Sequence, residues 1–337
     1  MRLPRLNGVI DGALERGRLR RAPGRPTQIH MSVTDRCFLP CLHCDIWKNE
    51  AVDLPGELWL NALDRLAQWV GPAAINFVGG EPFLRKDLED LMGRAVELGN
   101  TVSFNTNAWL LTEKRVRRVA DAGVSIAYIS MDGFSKEVVD HSRGREGSWQ
   151  KCMEAFELFD RVGGPRVVIA SILHEENARE IVDLYRFTKE RGYQLVVHPL
   201  YQNFGEVAYD RHWYRESPLW PKNPEAICEA LDFLVEERRR GGPVCNSSGQ
   251  LVAMKDYYRA PGAPNGLTCK AGHSDIAFDP QGNVRLCYFL EPVANLHDLT
   301  PLAAIWDGPR ALRRRWEVHT CERACSLLNC NFESSEP

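Results

Sequence analysis

Between Thr27 and Pro199 the chain repeats one pattern six times, a short apolar run followed by an amphipathic stretch. The runs fall at 28–33, 74–78, 102–105, 125–130, 166–173 and 194–199, and many are rich in Val and Ile. Near-continuous apolar runs of this length suit parallel strands covered by helices. Leu63, Leu66, Ala67 and Val70 share one helical face, as do Leu88, Leu91, Met92 and Ala95. Thr112 is a candidate N-cap for a helix ending near Gly123, and Asn177 for one ending near Gly192. Six βα units predict an α/β chain built as an open, partial (β/α)6 barrel related to the TIM barrel. Beyond those units the sequence shows no internal repeat.

In barrels of this kind chemistry sits at the C-terminal ends of the strands. The polar elements of this sequence converge there: residues 37–44, 79–82, 105–107 and 130–132, His174, and residues 198–202. The first holds Cys37, Cys41 and Cys44 at spacing C-x3-C-x2-C, with no fourth cysteine close by. Thiolates are soft ligands for iron–sulfur clusters or zinc, and a closed site of either kind takes four ligands. Three thiolates on a four-iron cubane leave one iron open to another ligand. A structural zinc knuckle with a distant fourth ligand is the plainer alternative. Each other element has a plainer reading too: a tight turn at Gly79-Gly80, a turn residue at Asn107, a cap at Ser130.

The cysteine spacing resembles the signature of the radical S-adenosylmethionine (SAM) enzymes. Gly79-Gly80-Glu81-Pro82 falls where that family keeps its GGEP motif, and Ser130-Met131-Asp132-Gly133 closes a later run. The resemblance implies a [4Fe-4S] cluster on Cys37, Cys41 and Cys44 and SAM on its free iron. It places His43 against the adenine, at a position the family fills with an aromatic residue. It places the Gly79–Gly80 backbone, Glu81 and Pro82 around the SAM ammonium, where glycine permits close approach. Asn107, Ser130 and Asp132 stand near ribose or carboxylate. Arg143 faces the SAM carboxylate, with Arg145 as a competitor. An electron from the cluster would split the sulfonium, and the resulting 5′-deoxyadenosyl radical would take a hydrogen atom from the substrate. A flavodoxin or ferredoxin type of donor is the implied partner.

A second constellation begins at Cys269. Cys269, twelve residues, Gly282, four residues and Cys287 match the opening of the SPASM/twitch extension of the same superfamily. Residues 276–284 between them read as a hairpin, and residues 304–306 resemble the linking helix. Cys321, Cys325 and Cys330 close the set as C-x3-C-x4-C. Five thiols imply one auxiliary [4Fe-4S] cluster, with the choice among the last three open and a zinc ribbon as the alternative. The expected domains are a basic N-terminal extension (1–26), the radical SAM partial barrel (27–230) and a small auxiliary-cluster domain (231–337). Residues 224–240 read as one amphipathic helix, and the stretch from there to Gly266 shows no long periodic run. Cys152 and Cys228 read as buried apolar residues. Cys245 has no assignment.

Composition narrows the function. A net charge of −3 gives no case for bulk nucleic-acid binding. No apolar run approaches ~18 residues, so no membrane span is expected. The start Met1-Arg2-Leu3-Pro4 leads to no apolar signal core. Eleven thiols in a long chain suit a reducing cytoplasm. Arg16, Arg18, Arg20, Arg21 and Arg25 read as a solvated arm. The leading expectation is therefore an enzyme acting on a peptide, protein or natural-product intermediate. A small-molecule substrate (a sugar, amine or isoprenoid) is the second reading, and a non-enzymatic iron–sulfur or zinc scaffold the third. Tyr128, His198, Tyr201, Gln202 and Asn203 are candidate pocket residues.

Overall fold

The six apolar runs form six parallel strands. In the computed structural model, which describes residues 24–50, 53–202, 210–263 and 266–332, these are β1 (Gln28–Ser32), β2 (Ala74–Val78), β3 (Thr101–Thr106), β4 (Ile126–Ser130), β5 (Arg166–Leu173) and β6 (Gln194–Pro199). Each pairs with the next in sequence. The connecting helices are α1 (Gly56–Val70), α2 (Leu88–Glu97), α3 (Glu113–Asp121), α4 (Lys136–Ser142), α5 (Ser148–Val162) and α6 (Ile181–Glu190). Arg16, Arg18, Arg20 and Arg21 lie outside the described residues, as does Asn203.

Burial explains the curvature. Along β3, Val102, Phe104 and Thr106 are buried against the helices, whereas Ser103 and Asn105 are half-buried on the concave face. The same parity puts His30, Asn76, Tyr128 and His198 inward. The inner face carries polar residues on β1–β3 where it borders a cavity, while inward Val168, Ala170 and Val196 of β5 and β6 form a small apolar cluster with Ile126 and Tyr128. Phe83 meets Phe104 edge-on, with centroids 5.2 Å apart, in the outer core.

The second half departs from the sequence expectation in two places. A helix, α8 (Ser248–Arg259), follows α7 (Pro224–Arg239) where no periodic run stands out. Its buried face is Leu251, Met254, Tyr257 and Tyr258, and the two tyrosines disguise it. The Tyr258 hydroxyl donates to the Leu173 carbonyl (2.7 Å) and accepts from the Leu200 N–H (2.8 Å). The Tyr257 hydroxyl donates to the Leu200 carbonyl at 2.8 Å. Helix α7 also runs unbroken across residues 230 and 231, so no domain boundary falls at that point.

Nor is the C-terminal part a detached unit. Strand β7 (Asp275–Phe278) pairs parallel with β1, and β8 (Asn283–Arg285) and β9 (Ala294–Asn295) continue antiparallel. One nine-stranded sheet results, in the order β6-β5-β4-β3-β2-β1-β7-β8-β9. At the opposite edge, residues 243–246 cover β6. The Asn246 side chain accepts from Val197 N–H (2.8 Å) and donates to Val197 C=O (2.9 Å), as a further strand would. Cys245 belongs to this edge cap, its Sγ 3.8 Å from Gln194 Oε1. Cys152 and Cys228 are buried, as expected. Two short helices, α9 (Leu302–Trp306) and α10 (Pro309–His319), complete the tail. Buried Arg315 stacks on Trp306 at 4.3 Å and donates to its carbonyl at 2.9 Å.

Candidate active site

The cysteine loop leaves β1 and is held by main-chain bonds to its neighbours. Gly80 N–H donates to Thr34 C=O (2.7 Å) and Glu81 N–H to Arg36 C=O (2.8 Å). A Cβ on Gly79 would collide with Thr34, and one on Gly80 with Arg36. The glycines are therefore required by the contact between the two loops. The expectation that they make room for the cofactor is corrected to that extent. Gly144, at φ +67°, allows the same close approach to Pro40. Leu42 N–H donates to Ser142 C=O at 3.0 Å, so the loop after α4 frames the cysteines from the other side.

Glu81 is fully buried and both oxygens of its carboxylate accept from protein donors. Oε1 accepts from Phe83 N–H (3.1 Å) and Thr106 Oγ1 (2.9 Å), and Oε2 from Asn107 N–H (2.8 Å). This corrects the expectation that the carboxylate faces an ammonium group. Glu81 joins the loops after β2 and β3 and so positions Asn107, whose Nδ2 lies 3.9 Å from Cys37 Sγ. Ala108, next in the chain, has φ 68°, the one positive value among described non-glycine residues. Such strain concentrates at functional sites. Burial pushes the Glu81 carboxyl up to about 7 against those three hydrogen bonds.

A prediction follows for Glu81→Gln. The amide cannot accept at both oxygens, so the variant should lose about 1–3 kcal/mol, the penalty of a buried donor left unpaired. Because the folded acid titrates near 7 and the free one near 4.5, its stabilising contribution is complete below 4.5 and declines as pH rises through 7. The wild-type advantage over Gln should therefore shrink across that interval. Denaturant melts at several pH values check both points; a constant gap would refute the second.

Asp132 anchors the third strand-end loop and is fully buried. Its carboxylate accepts from Ile172 N–H (3.0 Å) and Ser142 Oγ (3.2 Å) and pairs with Arg143 Nε at 2.8 Å. Burial pushes the carboxyl up, but Arg143, His43, His174 and the Ile172 N–H outweigh it and hold it below the ordinary carboxylate range. Arg143 is thus committed first to Asp132, and its guanidinium also meets the Cys41 thiol. Arg145 is no competitor: it lies outside, 4.1 Å over the Trp109 ring and 5.4 Å over Phe38. Asn177, expected as a helix cap, instead accepts from His174 N–H (2.8 Å) and donates to Ile172 C=O (2.7 Å). Helix α6 starts later, with Glu180 at its N-cap position but no side-chain capping bond.

His43 sits beside this group, nearly buried, with Nδ1 3.9 Å from Asp132. Burial pushes its pKa down to about 4, so the ring is neutral. Its Nδ1, His198 Nδ1, His174 Nε2 and Asn105 Oδ1 are buried with no hydrogen-bond partner. Unpaired polar atoms of this number around one mouth point to a polar ligand. Three thiolates on one loop can each hold a separate iron of a cubane. Burial pushes all three thiols up, Cys41 to about 12. Ser130 ends β4 half-buried, and Pro82 starts a buried 3-10 turn.

Below the strand ends lies a cavity of about 530 Å³. Asn76, Ser103, Asn105, Tyr128 and His198 line its barrel side, and Cys287, Tyr288, Cys325 and Cys330 its C-terminal side. Tyr201 borders it and a second cavity of about 280 Å³, where Gln202 lies. Asn76, Ser103 and Asn105 escaped the sequence reading. The alternation in β3, polar at Thr101, Ser103 and Asn105, was the signal for two of them. The tail folds back to the hairpin as expected: Cys269 bridges to Phe332, and Lys270 N–H donates to Asn331 C=O at 2.9 Å.

Comparison with known proteins places this geometry. The model of the Radical SAM superfamily matches residues 31–188, the segment that carries the cysteine loop and the next three strand-end loops. That segment is a Radical SAM superfamily domain. It is 26% identical over 326 residues to a PqqA peptide cyclase of Bradyrhizobium diazoefficiens, covering 92% of this chain and 81% of the relative. An AdoMet-dependent heme synthase of Methanosarcina barkeri is 25% identical, covering 91% and 89%. Among solved structures, Streptococcus suis SuiB bound to the precursor peptide SuiA superposes with a TM-score of 0.67 at 15% identity, over 91% of this chain and 70% of that one. The enzyme anSMEcpe with bound AdoMet and a Cp18Cys peptide gives 0.67 at 19% identity, over 91% and 89%. The fold likeness thus extends through the tail. A radical SAM enzyme uses a [4Fe-4S] cluster and SAM, and the donor set here fits that pair. Among the described residues no helix is long and apolar enough to cross a membrane.

Proposed function

We propose that this radical SAM enzyme modifies a peptide, and that an auxiliary [4Fe-4S] cluster stands on Cys269, Cys287 and two of Cys321, Cys325 and Cys330. The observation that supports it most is the cavity, which lies between the polar barrel face and the cysteine-bearing tail. A substrate there lies against Cys287, Cys325 and Cys330 of the tail and against the inner residues of the strands whose far ends carry the first cysteine loop. PqqA cyclases and SuiB are named for peptide substrates, which favours a peptide over a small molecule. The heme synthase relative keeps the small-molecule reading as the alternative.

Cys37, Cys41 and Cys44 would hold a [4Fe-4S] cluster, which when bound would supply the electron for reductive cleavage of SAM and so for removal of a substrate hydrogen atom. The chain's own residues bind, orient and shield. Main-chain groups of Gly79, Gly80 and Pro82, with Asn107, Ser130 and the neutral His43 ring, border the SAM position. Glu81 and Asp132 act behind them by fixing Asn107 and Arg143. The electron donor is a flavodoxin or ferredoxin type of protein, and the compartment is a reducing cytoplasm.

The test is anaerobic purification followed by incubation of reduced protein and SAM with candidate precursor peptides encoded nearby. About eight irons are expected, four per cluster, with 5′-deoxyadenosine and a mass change in one peptide. Zinc in place of iron would refute the reading. A mass change confined to a small metabolite would select the alternative. Replacing Cys269 by Ala should remove about four irons on the same count. It should leave uncoupled SAM cleavage intact and make the tail after Gly266 protease-sensitive, because metal binding contributes to folding. Iron counting and limited proteolysis measure both; no loss of iron would exclude Cys269 as a ligand.

A further inference from the structure

The inner cavity adjoins the second one, of about 280 Å³, and Tyr201, Phe289 and Cys325 belong to the walls of both. Three segments far apart in sequence frame this outer cavity. They are the end of α8 with the residues after it, the short turn that starts at Trp213, and the tail at 322–325. Arg211 ties the three together. Its Nε donates to Gly262 C=O at 2.6 Å, and its Nη2 lies 3.6 Å from the Glu322 carboxylate. Voids between packed elements seldom exceed one water molecule, which needs ~10–15 Å³. The outer cavity is too large to be a packing fault.

Its wall is aromatic and fixed. Trp213 and Tyr257 line it, and both rings meet Trp220 edge-on, with centroids 5.6 and 5.4 Å away. Trp220 also packs on Tyr214 and Tyr258, and the Tyr257 hydroxyl is committed to Leu200 C=O. The two rings are thus held as a wall rather than left to collapse into the space. Ala253, Pro261 and Leu267 add apolar surface. Of the charged lining residues, Asp256 and Glu322 are exposed, and Arg323 lies over the Phe289 ring at 4.4 Å. Such a wall suits a flat apolar group, which gains from edge-on or offset contact with the rings.

Size supplies the link to the substrate. A cavity of about 530 Å³ suits a ligand of ordinary small-molecule size, so it holds the reacting part of a peptide and not the rest. The remainder must lie in space that adjoins it. We propose that the outer cavity is a second substrate station, which takes an aromatic side chain of the peptide a few residues from the one that is modified. This rests on the peptide reading above and deepens it, since it names a residue class that the substrate must carry.

The first probe is N-acetyl-L-phenylalaninamide, followed by saturation-transfer NMR on the anaerobically purified full chain. Transfer to its ring protons is expected with the wild type and should be lost in Ala253→Trp, which fills the outer cavity from α8. Ala263→Trp, at an exposed position of the same lining, gives the same reading should the helix variant misfold. No transfer with the wild type, or equal transfer with the wild type and both variants, would overturn the proposal. The second probe is the peptide that gains mass in the test above. Replacing one aromatic residue near the modified one by Ala should raise KM about tenfold or more, the contribution of one buried apolar side chain, with kcat kept. In Ala263→Trp that penalty should vanish, because the station is already filled. No such effect at any aromatic position, or penalties that simply add, would overturn the proposal as well. A protein that modifies no peptide at all would remove the peptide reading itself, and this inference with it, whatever the NMR shows.

Discussion

Replacing Asp132 by Asn should destabilise the protein by about 3–5 kcal/mol, the range for breaking a buried ion pair by removing one partner. The carboxylate is fully buried, and Arg143, itself 8% exposed, has its Nε 2.8 Å from it. An amide leaves that guanidinium charged, dry and unpaired. It also disturbs the acceptor for Ile172 N–H, which holds β5 to this loop. Thermal or denaturant unfolding measures the loss. The pH dependence has a definite sign. Because the folded carboxyl lies below its ordinary value of 3.8, its contribution is complete above that value and disappears only as pH falls through the lower, folded one. The gap between wild type and variant should therefore be flat from pH 5 to 8 and close in acid. SAM affinity should fall as well, since Asp132 aims Arg143. A variant that melts like the wild type would show that the Asp132–Arg143 pair carries no net stability.

The larger effect on activity is expected from Cys37, Cys41 and Cys44 replaced together by Ala. SAM cleavage should fall to background, because no other residue at the strand ends offers a soft donor set. About half of the iron should go, four of about eight. The fold should survive. The loop is fastened by main-chain bonds from Gly80, Glu81 and Leu42 and by buried Leu39, none of which involves a thiol. Circular dichroism and iron analysis separate the two outcomes. Residual 5′-deoxyadenosine above background would mean that SAM is cleaved elsewhere.

Much of this was legible in the sequence because period and spacing are local properties. The strands at 74–78, 166–173 and 194–199 match to the residue, and Thr112 caps its helix through a bond from Arg115 N–H. The strand-end loops assemble where a barrel must put them. What escaped depends on direction and on distant partners. No pattern says that the Glu81 carboxylate turns inward, because its partners Thr106 and Asn107 lie on another strand. Helix α8 escaped because its core face includes two tyrosines, whose hydroxyls reach carbonyls 57 and 85 residues away. The parallel join of β1 and β7 spans most of the chain, and four residues of β7 carry too little periodicity to announce it.

That join acts as a ruler. The first cysteine loop leaves the end of β1, while Cys269 and Cys287 flank the hairpin that starts with β7. Gln28 stands opposite Asp275, and Met31 opposite Phe278. The gap between the two cysteine sites is therefore set by a ladder of peptide hydrogen bonds rather than by a hinge or linker. A parallel ladder changes only in whole steps: keeping the same face inward takes a slip of two residues, or about 6.6 Å. Substrate size in such a frame is adjusted by trimming or enlarging side chains at Asn76, Ser103, Asn105 and Tyr128, while the distance the substrate must bridge stays constant.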